Sequence, residues 1–400
     1  MRVVGIIAEY NPLHNGHIYH MEQAKALAGA EHCVVVMSGN FVQRGEPACT
    51  DKFTRAEWAL KAGADLVLEL PSVYAVASAE RFALGGVRTL LGAGVVSDLA
   101  FGCEEADIAT LYQLSDIISS EPPPFRHALR EHLKRGKSYP RARFDALADY
   151  GVPDGMLDTI LQPNNILAIE YLHALSVYAP NIRPLPITRI GCSYHSETLS
   201  GEYSSATAIR RALLEGNREV LSAMPSFVGG ALFYDDQFLI SPGALDSMTL
   251  YALRRMTPAE LAEIPDVGEG FENVIYKAAR SAQTMEAFFA AVKSKRYTLA
   301  RVRRITVNAL LGITADQVHS TVVSREGSYL RVLGFRKDAR TLLSRIGKQK
   351  TVPMILRNSD IDTCPLIVQR DLETDMFSTD LLAYATGNAV KRDTAGLIVV

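Results

Sequence analysis

The stretch Ile6-Ile7-Ala8-Glu9-Tyr10-Asn11-Pro12-Leu13-His14-Asn15-Gly16-His17 decides how the chain is read. Val3, Val4, Ile6 and Ile7 form an apolar, largely β-branched run of the kind buried inside parallel sheets. Asn11-Pro12 ends it, because proline lacks an N–H and pushes the residue before it off a helical path. After His17 the spacing of Tyr19, Met21, Ala24 and Leu27 predicts a helix. A strand, a tight loop and a helix start make a phosphate site, since unpaired N–H groups and the helix dipole point into it. Gly16 lets the backbone approach a ligand, and His14 and His17 beside it can donate hydrogen bonds to phosphate oxygens as charge develops. Three of the nine histidines fall in this short segment, His20 being the third. A histidine in isolation is more often a satisfied surface or core group, so it is the context that makes the pattern informative.

The same alternation continues outward. Cys33–Met37, Asp65–Leu70, Asp98–Phe101 and Arg183–Ile190 read as further strands, with helical patterns between them at Lys52–Ala62 and Arg81–Leu91. This predicts an α/β fold, a parallel Rossmann-like sheet with helices on both faces and ligands beyond the strands' carboxyl ends. The loop 38–47 after the second strand carries Asn40, Gln43 and Arg44, candidates to orient a small carboxylate or a phosphate. Gly102, after the fourth strand, leaves room for a flat ring. A basic helical insertion is expected over Phe125–Lys137, and Asn164 or Asn165 is expected to cap a later helix. Tyr203–Arg210 places Ser205 as a cap, with Thr207 and Arg210 in the first turns of a helix, a second phosphate-binding start.

Beyond about residue 210 helical periodicity dominates to Leu311. We expect 1–204 to form the α/β domain that carries the histidine loop, and 205–400 a mainly helical region. Its end, with strand-like runs at Val352–Val368 and Gly396–Val400, reads as a small α/β element. Lys293, Lys295, Arg296, Arg301, Arg303 and Arg304 supply six basic residues in twelve, a positive stripe on a helix suited to a phosphate backbone or, equally, a solvated face.

Composition narrows the classes. Four hundred residues, 48% hydrophobic and 22% charged, describe an ordinary soluble globular protein. A net charge of −2 means that any nucleic-acid site must be a local patch. Five scattered cysteines without metal spacing read as free thiols in a reducing cytoplasm, and no metal site is expected. The amino terminus runs straight into a strand, which leaves no room for a signal peptide. No apolar run approaches the ~18 residues that span a bilayer, so no membrane association is expected.

The histidine element resembles the His-x-Gly-His signature of the nucleotidyltransferase superfamily, and S-A-T-A-I-R at 205–210 resembles its second signature. The resemblance goes further. N-P-L-H-N-G-H, S-G-N-F-V-Q-R-G-E-P, K-F-T-R-A-E, G-A-D-L-V-L-E-L-P, F-G-C-E and P-N-N-I-L-A-I-E-Y occur in this order, as in the bacterial tRNA(Met) cytidine acetate ligases. Ala168 is a local departure, where glycine would be commoner in that family. The resemblance implies activation of acetate by ATP as acetyl-adenylate, then transfer to N4 of the wobble cytidine of elongator tRNA(Met). It implies ATP contacts from Ile7, Ala8, Glu9, Tyr10, Asn11, Pro12, Leu13, His14, Asn15, Gly16, His17, Ile18, Tyr19 and His20. Gly102, Asn164, Asn165, Arg189, Ile190, Ser205 and Thr207 join them, with Mg²⁺ beside the phosphates. No protein partner is implied. A small-molecule adenylyltransferase would use the same amino-terminal half, and a non-catalytic RNA-binding protein would explain only the basic segment.

Overall fold

The computed structural model describes residues 1–104, 107–190, 198–235, 238–324, 326–387, 393 and 396–400. Cys192 and the segment 191–197 therefore lie outside the described residues. Eight strands form one sheet: β1 (Val3–Ala8), β2 (His32–Ser38), β3 (Leu66–Leu70), β4 (Asp98–Cys103), β5 (Arg183–Thr188), β6 (Leu330–Phe335), β7 (Met354–Ile355) and β8 (Ile398–Val399). Their spatial order is β8-β6-β3-β2-β1-β4-β5, with β7 beside β6. The parallel part, 3-2-1-4-5, has its topological switch point between β1 and β4, where a crevice opens beyond the strand ends. The α/β class and the five expected strands are borne out.

Alternation along β1 assigns its two faces. A Cβ added to Gly5 would meet the Leu90 side chain at 2.7 Å, and one added to Gly86 would meet Ile7 at 2.5 Å. The odd residues of β1 thus pack on the helix Ala79–Gly92. Val4 and Ile6 belong instead to the core shared with Met21, Ala24 and Ala28 of the helix Asn15–Ala28. A one-residue slip would exchange these two sets, so burial on both sides fixes the register.

The carboxyl half is mainly helical with strands at its end, as expected, but it is not packed apart from the first half. Ile209, Ala212, Leu213, Val228 and Leu232 are buried in the same core as Val4 and Ile6, so the cores do not divide the chain at 204/205. A separate helical core forms around Leu253, Ile275, Phe288, Val302 and Ile305. The carboxyl end holds the expected small α/β element, with the helix Arg340–Gln349 between its strands, and this element joins the main sheet: β6 runs antiparallel to β3, and β8 pairs with β6. Within 352–368 only Met354–Ile355 is strand, and at Leu366 a helix begins that runs to Thr386.

A buried ionic network ties that return to the loop after β2. Lys52 Nζ lies 2.8 Å from both Glu69 and Asp393, and Arg331 pairs with the same two acids. All four side chains are almost fully buried; charges so placed must be paired. Arg55, also buried, donates to the carbonyls of Glu9 (2.7 Å), Ser38 (3.0 Å), Thr50 (3.1 Å) and Gly39. It holds the ends of β1 and β2 in one geometry. Among the described residues, no helix is long and apolar enough to cross a membrane.

Candidate active site

A cleft of about 1160 Å³ opens at the switch point. The loop after β1 enters it with Tyr10 at φ 48°, a left-handed conformation rare for an aromatic residue, and with a cis Asn11–Pro12 peptide. His14 then caps the helix Asn15–Ala28 in place of the usual serine or aspartate: its Nδ1 accepts from the Gly16 N–H at 3.1 Å. The His14 N–H in turn donates to His17 Nδ1 at 3.3 Å, and the two rings stack with centroids 3.7 Å apart.

These bonds fix the protonation pattern. With each Nδ1 accepting, each neutral ring carries its proton on Nε2. Burial and the nearby Arg189 and Arg210 push His14 down to about 3. Burial, then His14, Arg189 and His20, keep His17 well below the ordinary range, and burial with Arg189 lowers His20 to about 4. The loop therefore offers two neutral Nε2–H donors and adds no positive charge of its own.

The second signature faces this loop. Ser205 caps the helix Ala206–Leu214 by accepting from the Ala208 N–H at 3.0 Å. Arg210, one helical turn on, donates to the Asn11 carbonyl at 2.6 Å and so ties the two phosphate-binding starts together. Ser205, Thr207 and Arg210 all line the cleft. So do Gly102, Asn164, Arg189 and Ile190. A Cβ on Gly102 would lie 3.5 Å from Arg189 and 4.0 Å from His20, so the glycine opens onto free space between them.

Of the segment 7–20, Ile7, Ala8, Glu9, Tyr10 and Asn11 line the cleft, as do His14, Gly16, His17, Tyr19 and His20. Pro12, Leu13, Asn15 and Ile18 do not. Leu13 is buried in the core, and Asn15 Nδ2 donates to the carbonyls of Ser222 and Glu202. Asn164 and Asn165 are not caps: Gln162 precedes the helix Pro163–Tyr178, and both asparagines lie in its first turn. Asn164 reaches Glu104, while Asn165 turns away from the cleft to accept from the Glu104 N–H at 3.0 Å.

Asn40 is likewise removed from the site. It is fully buried, donates to Thr379 Oγ1 (2.8 Å) and Ser378 Oγ (3.2 Å), and accepts from the Lys52 N–H. It joins the loop after β2 to the last helix and has nothing left for a ligand. Gln43 and Arg44 do line the cleft. The Gln43 N–H donates to Glu9 Oε1 at 2.7 Å and its side chain to the Ala77 carbonyl at 3.2 Å.

The basic segment belongs to the same cleft. Lys293–Thr298 is a connection, not helix, and Thr298 caps the helix Leu299–Leu311 that follows. Gly45, at φ 75°, meets the backbone of Arg303 and Arg304 so closely that a Cβ would collide with it. Arg296, Arg301, Arg303 and Arg304 line the cleft, whereas Lys293 and Lys295 do not. Arg303 pairs with Glu46, Arg296 with Glu269, and Arg301 donates to the Asp266 carbonyl while lying 4.5 Å over the Tyr297 ring. Arg143 and Glu170, paired at 2.8 Å, also line the cleft, and nothing in their sequence spacing sets them apart. Glu170 falls inside the P-N-N-I-L-A-I-E-Y string, which was the available signal.

Two capped helix starts over the switch point of a 3-2-1-4-5 sheet, one with neutral histidine donors, define a nucleotidyl transferase site. The family model described as HIGH Nucleotidyl Transferase matches residues 1–395. A tRNA(Met) cytidine acetate ligase from Acetivibrio thermocellus is 40% identical, covering 98% of this chain and 97% of its own. One from Caldanaerobacter subterraneus is 42% identical over 97% and 96%. The crystal structure of Thermotoga maritima TmcAL bound with alpha-thio ATP superposes with a TM-score of 0.91 at 31% identity over the whole of both chains. The chain belongs to the tRNA(Met) cytidine acetate ligase family.

Proposed function

We propose that this chain joins acetate to ATP, releases pyrophosphate, and passes the acetyl group from acetyl-adenylate to N4 of the wobble cytidine of elongator tRNA(Met). The observation that carries this reading is the pair of neutral Nε2–H donors on His14 and His17, facing the Ser205 helix start across one cleft. In the first step an acetate oxygen attacks the α-phosphorus, and the bond to the β-phosphate bridging oxygen breaks. Charge then builds on the departing pyrophosphate, where preorganised donors act most strongly. Neutral imidazoles suit this role because they donate without a counter-charge that would hold the product.

Acetate belongs beside Gln43 and Arg44, the two residues of its predicted site that line the cleft. Mg²⁺ accompanies the ATP phosphates: among the described residues no three His, Cys, Asp or Glu side chains gather to hold a metal, and this ion is ordinarily held by phosphates with few protein ligands. The tRNA approaches along the segment 293–304. The reaction's substrates place the enzyme in the cytoplasm, and it needs no membrane or protein partner. The cleft's continuation to Arg296–Arg304 favours this reading over an adenylyltransferase for a small molecule, which has no use for that wall.

Acetate-dependent exchange of labelled pyrophosphate into ATP tests the first step. Exchange that requires acetate supports the proposal; exchange that requires a mononucleotide, with acetate inert, contradicts it.

A further inference from the structure

The end of β1 divides the cleft into two wings. Tyr10 turns toward the histidines, its ring 4.9 Å from that of His17. Glu9, one residue earlier, continues the Ile7 face and turns the other way, toward Gln43 and Tyr171. The histidine wing is accounted for by the nucleotide. The Glu9 wing, walled by Gln43, Arg44, Tyr139, Arg143, Glu170 and Tyr171, takes the acetate in that reading, and its acid Glu9 has no role yet.

Glu9 is the unusual group in that wing. Its Oε1 is held by the Gln43 N–H, and no Lys, Arg or His nitrogen among the described residues comes within ion-pair distance. By contrast, Glu170 is spent on Arg143, Glu46 on Arg303, Asp266 on Arg81 and Glu121 on Arg126. Glu80, in the first turn of the helix Ala79–Gly92, is the other cleft acid without an ion pair among the described residues, and it lacks the backbone N–H that fixes Glu9. The geometry points to Glu9 as the proton acceptor in acetyl transfer, taking the proton from the cytosine N4 amine through Oε2. This deepens the acetate ligase reading and rests on it.

The step balances. The N4 nitrogen attacks the acetyl carbonyl, the new C–N bond forms, and the C–O bond to the adenylate phosphate breaks. AMP leaves with that electron pair, the N4 proton passes to the Glu9 carboxylate, and the carboxylic acid later returns it to water. An exocyclic amine conjugated with its ring is a weak nucleophile, so removing its proton as the bond forms is where a base contributes. A base one residue from the strand end stands in the wing away from the histidines, so that the group that takes the amine proton is not one that stabilises the phosphates.

Burial raises the affinity of Glu9 for a proton, which strengthens it as a base; the Gln43 N–H opposes that shift, followed by the charges of Arg210, Arg44 and Arg55. Those three cations come from the helix Ala206–Leu214, the loop after β2 and the helix Lys52–Lys61; Tyr171 faces Glu9 from the helix Pro163–Tyr178. The arginines also offset the Glu9 charge while anionic acetate binds alongside.

The test supplies synthetic acetyl-adenylate and tRNA(Met) transcript to excess enzyme and follows N4-acetylcytidine through one turnover, from pH 5 to 8. For the wild type, transfer rises with pH and levels off as Glu9 ionises. Glu9→Gln keeps an acceptor for the Gln43 N–H and is expected to transfer about 10²-fold or more slowly, with that pH limb gone. Glu9→Asp restores part of the rate and the limb, and carries the test if the glutamine variant is poorly folded by thermal melting. Wild-type transfer by Glu9→Gln, or slow transfer that keeps the wild-type limb, overturns the role. Wild-type enzyme that gives no acetylcytidine even from acetyl-adenylate overturns the ligase reading itself, and this role with it.

Discussion

Two stretches bring positive character to one cleft, and they do it in opposite ways. Residues 10–20 present donors that are short, backbone-fixed and neutral: each histidine is locked by the other's backbone or by Gly16, and burial keeps them uncharged. Residues 293–304 present full charges on long side chains, two of them tied to acids, with Arg304 half-buried. The first arrangement stabilises charge that appears during a reaction. The second attracts charge that is already there, and its strength falls with salt. A basic segment and a catalytic loop can thus share a cavity while serving different steps.

The sharpest way to break this comparison is to delete the fixed donors. His14→Ala or His17→Ala is expected to lower acetate-dependent pyrophosphate exchange by about 10²–10³, the usual cost of losing an oxyanion donor. Tight ATP binding by the variants would place the loss in the reaction rather than in the ground state; unchanged exchange would remove the histidines from the account.

The charged stretch gives a graded effect. Lys293 and Lys295 are exposed, lie off the cleft and make no ion pair among the described residues. Reversing both should leave pyrophosphate exchange intact while making the salt dependence of tRNA binding shallower by about one per phosphate contact. Arg303→Glu should impair both steps, because Arg303 also holds Glu46 of the loop that carries Gln43 and Arg44. Equal effects from the two variants would erase the distinction.

Smaller effects sharpen the picture. Gly102→Ala is expected to raise KM for ATP with little change in thermal stability, since the added Cβ meets Arg189 and His20 only at ordinary contact distance. The histidines also make a pH prediction. Their folded-state affinities lie below the unfolded value near 6.5, so as pH falls through 6.5 the unfolded chain takes up protons that the folded one refuses. Stability should therefore fall from pH 6.5 toward 4 as these sites protonate only on unfolding. Denaturant midpoints at pH 7 and 5 measure it, and saturating ATP should lessen the loss.

The difference between the stretches also explains what could be read from residue order. The histidine loop and the Ser205 cap are local: strand, breaker and helix start lie within a few residues and carry their own chemistry. Asn40 looked equally functional, but its partners Ser378 and Thr379 lie more than 330 positions away, and only the fold shows them. The basic run read as one helical stripe because charge spacing does not reveal the break at Lys293–Thr298. β6 was missed, since its pairing with β3 depends on contacts across the whole chain. Leu366-Ile367-Val368 looked like strand because an apolar β-branched triplet fits either state when burial decides. Glu9 illustrates the limit best: the loop motif was legible, but which way each side chain turned at the strand end was not.

The central claim is that fixed neutral donors activate acetate for transfer to a tRNA base held by the charged wall. Incubation of the full chain with ATP, labelled acetate and tRNA(Met), followed by nucleoside analysis, tests it most directly. Label is predicted in N4-acetylcytidine at the wobble position, dependent on ATP and lost with His17→Ala. Label that stays out of the tRNA while ATP is consumed, or acetylation that proceeds from acetyl-CoA without ATP, would contradict it.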